Sequence, residues 1–200
     1  QMCIRDRLKS ALATQVIRRR VLSRLDALIA VAPQDAASLS RATGRPTAVV
    51  PNGVEVDLAT AGDRPREPLV VFTGSMNFPP NVAAARFMAR QVWPLVLASR
   101  RYGLGSHGTG GNSAQPTLAI VGADPVPAVQ ELAALPDVVV TSRVPSIREW
   151  LGRARLSVAP MLGGTGIKNK ILEACAAGCP VVATSAAVGG LPTGQDAGII

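Results

Sequence analysis

The stretch GGTGIKNKILEACAAGCPVVAT, residues 163–184, gathers the residues of this 200-residue chain best placed to do chemistry. Gly163, Gly164 and Gly166 run into Lys168 and Lys170, and then into an apolar helical pattern. Glycine lets backbone approach a ligand and tolerates positive φ. A helix starting after such a loop offers backbone N–H groups and the positive end of its dipole, an anion site suited to phosphate. Lysines in that first turn work against the dipole, at roughly a few tenths of a kcal/mol each. A bound dianion would reverse the sign. The plainer reading is two solvated lysines on an amphipathic helix.

Glu173 shares a helix face with Asn169 and Lys170. Ile171, Leu172, Cys175 and Ala176 form the opposite, core-facing side. A carboxylate one turn inside such a pocket can accept hydrogen bonds from sugar hydroxyls; a surface glutamate paired with Lys170 has the same spacing. Two phosphate motifs do not fit. A P-loop needs Gly-Lys-Ser/Thr, and Ile167 separates Gly166 from Lys168. The dinucleotide fingerprint needs a third glycine where Asn169 stands. His107, the one histidine, sits in a glycine-rich loop and is a weak candidate for a base. Cys3, Cys175 and Cys179 have neither zinc spacing nor an even disulfide set, which leaves them as small apolar fillers in a reducing compartment.

The elements that must position these residues alternate. Leu8–Arg24 reads as a basic helix, DALIAVA (26–32) as a strand, and PQDAASLSRATG as a helix opened by proline and closed by Gly44. TAVVPNGVEV (47–56) reads as a strand breaking at Pro51-Asn52-Gly53. Residues 57–67 are polar and proline-bearing, hence a linker between a segment at 8–56 and a domain at 68–200. That domain runs strand (69–74), helix (81–99, interrupted at Pro94), Gly/Ser loop (103–116), strand (117–122), helix (126–135), strand (137–142), helix (146–154), strand (155–161), glycine loop, helix and strand (180–184). Continuous apolar strands separated by helices predict an α/β fold with a parallel sheet covered on both faces. Such sheets bind ligands beyond the carboxyl ends of their strands, so FTG (72–74), SRV (142–144) and PMLGG (160–164) should border one crevice.

Composition excludes several classes. With 48% hydrophobic and 17% charged residues, the chain buries a core and is not disordered. No apolar run reaches membrane-spanning length. A net charge of +8 suits nucleic acid or an anionic membrane surface. At 3% aromatics, with no nucleic-acid module, the first of these is disfavoured and no nucleic-acid partner is expected.

At this point a resemblance adds to the reading. KILEACAAGCPVVAT behind a glycine loop is similar to the donor-site motif of the retaining group 1 glycosyltransferases. FTGSMNFPPNVAAARFM (72–88) resembles a branch that transfers sugars in exopolysaccharide assembly, and VVPNGVEVD (49–57) resembles the segment closing the N-terminal domain of these enzymes. The likeness runs in family order from about residue 20 to 195. It implies a GT-B fold, two Rossmann-like domains across a cleft. Residues 68–200 would be the C-terminal nucleotide-sugar-binding domain, truncated, and 8–56 a remnant of the acceptor domain. The implied activity is hexosyl-type transfer from a nucleotide-diphospho-sugar to a glycan or lipid-linked acceptor, without cofactor or metal. The implied place is the cytoplasm, with peripheral association at the inner membrane face. Carried over residue by residue, Glu173 would bond the ribose. Gly163, Gly164, Thr165, Gly166 and Ile167 would line the diphosphate or sugar, and the Val144 backbone the base. Gly74 and Ser75 would form the near wall.

Two departures qualify the match. Many relatives carry a glutamate where Thr165 stands, and an Arg and Lys after the first strand of the domain, where GSMNFPPN has neither. By the resemblance, Lys168 and Lys170 would replace that charge, and no catalytic residue is assigned. Other readings of the same fold are a nucleotide-sugar 2-epimerase and a non-catalytic nucleotide- or nucleic-acid-binding module. The first seven residues, QMCIRDR, resemble a translated transposase sequencing adapter and are expected to be non-native. A chain holding mainly the donor half is expected to be inactive alone.

Overall fold

The computed structural model describes residues 22–56, 65–101, 115–163, 166–189 and 191. Residues 1–7, most of the expected basic helix, His107 and Cys3 lie outside them. The chain divides into two compact units between Asn52 and Gly53.

In the first unit, a 3-10 turn at Leu22–Arg24 leads to strand β1 (Leu28–Ala30), helix α1 (Pro33–Thr43) and strand β2 (Thr47–Val49). The strands pair in parallel, with Ile29 opposite Ala48, so the described part of the unit is one βαβ turn. Proline opens α1 where its missing N–H is not needed. Gly44 closes it at φ 70°, its N–H donating to the Ser40 carbonyl at 2.8 Å. Leu28, Ala30, Ala32 and Ala36 are buried. β2 is shorter than the expected 47–56. Its last ladder bond is Val50 N–H to Ala30 O, 2.9 Å, just before the Pro51-Asn52-Gly53 break.

The second unit carries strand β3 (Glu67–Thr73) and helix α2 (Pro79–Phe87), which passes through a π turn (Met88–Val92) into α3 (Trp93–Arg101). Pro94 cannot donate to the carbonyl four residues back, and the helix passes it by widening rather than breaking. Strand β4 (Thr117–Val121), helix α4 (Pro127–Gln130) with a 3-10 turn (Glu131–Ala134), strand β5 (Val138–Val140) and helix α5 (Ile147–Arg153) follow. Strand β6 (Ala154–Ala159), helix α6 (Asn169–Ala176), strand β7 (Val181–Ala183) and helix α7 (Ser185–Val188) complete the described elements. Ser146 caps α5, its hydroxyl accepting from the Glu149 N–H at 3.2 Å.

All five strands are parallel, in the order β5-β4-β3-β6-β7. The chain steps one way from β3 to β5, then crosses back to β6 and β7. With right-handed crossovers this puts helices on both faces, as expected. The core between them includes Val71, Phe72, Leu118, Ile120, Leu132, Leu151 and Ile171, with Trp93 donating to the Pro136 carbonyl at 3.2 Å. At the amino edge, the Arg66 guanidinium donates to the carbonyls of Leu151 (3.3 Å), Ala154 (2.7 Å) and Gly178 (2.8 Å), tying β3 to the ends of α5 and α6. β3 itself starts at Glu67, one residue inside the segment read as linker. Among the described residues no helix is long and apolar enough to cross a membrane.

The carboxyl edge is drawn together by backbone. Gly74 and Gly122 follow β3 and β4 with φ of 151° and 158°. A Cβ on Gly122 would collide with the Gly74 carbonyl. Gly122→Ala is therefore expected to destabilise the fold by about 3 kcal/mol or more, since only backbone can move to relieve the clash. Gly152→Ala, in α5 with open space around its Cβ position, should instead stabilise by about 0.5–1 kcal/mol. Denaturant midpoints of the two variants check both signs.

Candidate functional site

Because the strands are parallel, the segments after them meet along one edge, and FTG (72–74), SRV (142–144) and residues 160–163 all lie there. Three sets of bonds stitch it. The β3–β4 ladder continues past the strands: Gly74 N–H to Val121 O (3.1 Å), Met76 N–H to Ala123 O (2.8 Å) and Val126 N–H to Met76 O (3.3 Å). On the next strand, the Gly122 N–H donates to the Thr141 hydroxyl at 3.2 Å. On the other side, the Thr184 hydroxyl donates to the Met161 carbonyl at 2.6 Å.

Lys170 sits between these seams. Its Nζ donates to Asn81 Oδ1 at 2.8 Å and lies 4.3 Å from the centroid of the Phe72 ring. The Met161 sulfur is at 3.8 Å. Asn81 is 8% exposed and spends its other side-chain end on the Ser75 carbonyl, Nδ2 to O 3.0 Å. Its amide orientation follows from its partners: an ammonium only donates and a carbonyl only accepts. Burial, then the charge of Lys168, pushes the Lys170 amine down to about 8, with Glu173 partly opposing.

The glycine loop reaches the helix through Gly166, at φ 75°. Its carbonyl packs on Gly189, where a Cβ would come within 2.5 Å of it. Lys168 is the N-cap residue of α6, extended at φ −93° and ψ 108°, with no side-chain capping bond. Its carbonyl accepts from the Ile171 N–H at 2.9 Å, closing the first turn of α6.

The sequence candidates separate on this edge. Gly74 and Lys170 come together: a Cβ on Gly74 would stand 3.2 Å from the ammonium. Ser75 joins them through its backbone and Asn81. Lys168, Gly166 and Ile167 lie in the adjoining loop, half-buried, and Gly163 is exposed on it. Glu173 is exposed and is felt at Lys170 as a charge, while the hydrogen bond from Lys170 goes to Asn81. Val144 follows β5, two strands from β3, with its side chain packed against the core. Gly164 and Thr165 lie outside the described residues. Cys175 and Cys179 have thiols pushed up by burial, which suits packing rather than reactivity.

Asn81 was not among the residues singled out from sequence. Its signal was there, a polar residue just inside a helix opened by Pro79-Pro80 and otherwise lined with alanine. Such a residue is either solvated or paired, and sequence does not say which.

Residues 67–200 match the family profile described as glycosyl transferases group 1. The chain belongs to the group 1 glycosyltransferases. Solved glycosyltransferases share its fold. Sucrose-phosphate synthase from Thermosynechococcus elongatus superposes with a TM-score of 0.59 at 20% identity, over 90% of this chain and 45% of its own. HepE from Anabaena, in complex with UDP, gives 0.58 at 18% identity, over 88% and 50%. A TarM variant from S. aureus, solved with fondaparinux, alpha-GlcNAc-glycerol and UDP, gives 0.60 at 12% identity, over 88% and 32%. At such identities the likeness is one of fold, and it is the GT-B likeness expected from the sequence. The chain spans half or less of each of these structures. No curated protein matches it.

Burying the Lys170 amine gives this chain a pH signature. Its ordinary value is 10.5 and its folded value about 8. Between those limits the unfolded chain holds a proton that the folded chain does not. Raising the pH through that window therefore favours the folded state. Relative to Lys170→Met, the wild type should gain thermal stability from pH 8 to pH 10.5; a flat difference in Tm would contradict the buried amine.

Proposed function

We propose that this chain is the donor-binding part of its glycosyltransferase and takes a nucleotide-diphospho-sugar at the carboxyl edge of the second unit. The observation that carries the reading is the pair Lys168 and Lys170 at the start of α6, beside a glycine loop and the Gly74 wall. A cation half-withdrawn from water at the positive end of a helix is a poor arrangement in isolation and a good one for a diphosphate. HepE, of the same fold, has been solved with UDP and glucose and with UDP-glucose.

In this reading the backbone of residues 163–167, including Gly164 and Thr165, lies along the diphosphate. Lys168 and Lys170 supply its counter-charge. Glu173, exposed one turn further on, accepts from the ribose hydroxyls, the Val144 backbone faces the base, and Gly74 with Ser75 walls the sugar. Transfer breaks the bond from anomeric carbon to phosphate oxygen and forms one to an acceptor hydroxyl, which gives up its proton. The leaving nucleoside diphosphate gains negative charge, which the lysines and the helix start are placed to stabilise. The acceptor, a glycan or a lipid-linked sugar, would be held chiefly by an opposing domain, and the exopolysaccharide-type acceptor and retention at the anomeric carbon belong to the same proposal.

Titration of the 200-residue chain with UDP, GDP, the matching monophosphates and nucleosides tests the site. Lys168→Ala should weaken diphosphate binding by about 1.5–3 kcal/mol, the scale of a charge-assisted hydrogen bond, and leave folding nearly unchanged. Glu173→Ala should weaken nucleoside binding with or without phosphate. Unchanged diphosphate affinity in Lys168→Ala, with a lowered Tm, would make that lysine structural.

The same chain, offered a nucleotide-sugar and an acceptor, should bind the donor without transferring sugar. Turnover above a heat-killed control would show the opposing domain to be dispensable.

A further inference from the structure

Lys170 is the one described lysine whose amine is withdrawn from water among groups of three other segments: Phe72 on β3, Asn81 on α2 and Met161 after β6. Of these, only Asn81 offers a strong acceptor. Asn81 is itself buried, and its two polar ends are both used, one on the ammonium and one on the Ser75 carbonyl. The amide thus joins the loop after β3 to the side chain that rises from α6. Neither the Phe72 ring nor the Met161 sulfur can fix a direction for the ammonium as a short hydrogen bond does.

We infer that Asn81 is a positioning residue for donor binding: it aims the Lys170 ammonium across the edge and locks the Gly74–Ser75 wall to it, so that its effect on the ligand passes through Lys170. This rests on the donor-site reading above. It assigns the site a component on α2, outside the glycine loop and the α6 helix.

Two consequences separate this role from simple packing. First, Asn81 and Lys170 are coupled. If the amide acts through the amine, removing it matters only while the amine is present. Second, the charged groups felt at Lys170 are Lys168 and Glu173, both from its own segment, while the residues facing it from β3, α2 and the end of β6 are uncharged. A carboxylate placed at 81 would therefore be a charge from across the edge, and it would hold the proton on Lys170 to higher pH.

The experiment uses the 200-residue chain and inorganic pyrophosphate as a base-free probe of the diphosphate subsite, with UDP and GDP alongside. Asn81→Ala should weaken pyrophosphate binding about tenfold in the presence of Lys170, about 1.4 kcal/mol, and less than about twofold in the Lys170→Ala background. Wild-type affinity should decline through about pH 8 as the amine loses its proton. In Asn81→Asp that decline should move up by about one pH unit or more, with weaker binding at pH 7 from the added negative charge. Equal losses in both Lys170 backgrounds, or a pH profile that Asn81→Asp leaves in place, overturn the inference. Should Asn81→Ala fail to fold, the near-isosteric Asn81→Asp carries the test. Failure of the wild type to bind pyrophosphate, UDP or GDP sinks the donor-site reading instead, and the Asn81–Lys170 coupling is then judged by NMR titration of the Lys170 amine. An unchanged midpoint in Asn81→Asp refutes it.

Discussion

The close approach of backbone beyond β3 and β4 is the constraint on which the rest of this edge depends. A ladder that would end at Thr73 and Val121 runs on through Gly74, Met76 and Val126. It can do so only because Gly122 has no side chain to strike the Gly74 carbonyl. The continued pairing turns the chain after β3 back over the sheet. It then delivers Phe78 as the cap of α2, and Asn81 one turn later, with its N–H on the Phe78 carbonyl at 2.9 Å. Asn81 reaches Lys170 from the helix start that the zipped strand ends hold in place.

From that placement the electrostatics follow. A lysine in the first turn of a helix, next to another lysine, ought to swing into solvent, where its charge costs least. Lys170 instead lies across an aromatic face and an amide oxygen. The amide and the ring partly compensate the lost water, but burial and Lys168 still pull the amine far below its ordinary value. Such a cost, at the strand edge where parallel sheets bind ligands, is the electrostatic deficit behind the donor-site proposal. The deficit is local. It does not come from the +8 charge of the chain, most of which belongs to arginines elsewhere.

Much of the fold was legible because the patterns were strong and local. Apolar runs such as VVF at 70–72 and AIV at 119–121 become central strands since both faces of a parallel sheet are buried. Helix starts at Pro33 and Ser146, and the stop at Gly44, follow from backbone chemistry that needs no tertiary context. Where the reading slipped, a longer-range interaction decided. Pro94 looked like an interruption, but packing of Met88, Ala89 and Trp93 on the sheet keeps the helix running through a wider turn. The break read at Pro51-Asn52-Gly53 is where the pairing of β2 stops, its last bond being made by Val50. Arg66 read as part of a linker, and three carbonyls at the opposite edge make it a fastener.

The site was legible in part for the same reason. The glycines and lysines of 163–170 are contiguous, so their shared location needed no fold. Asn81 and Lys170 are 89 residues apart, and nothing in either neighbourhood names the other. What links them is topology. β3 is the middle strand, with β6 directly beside it, so the helices that follow them leave the same edge of the sheet on its two faces. Here Asn81, in the first turn of one helix, and Lys170, in the first turn of the other, meet across that edge at 2.8 Å. The first turn of the helix after the central strand is therefore where a partner for a glycine-loop lysine should be sought, and the telling sequence mark is a polar residue among alanines at a proline-opened helix start.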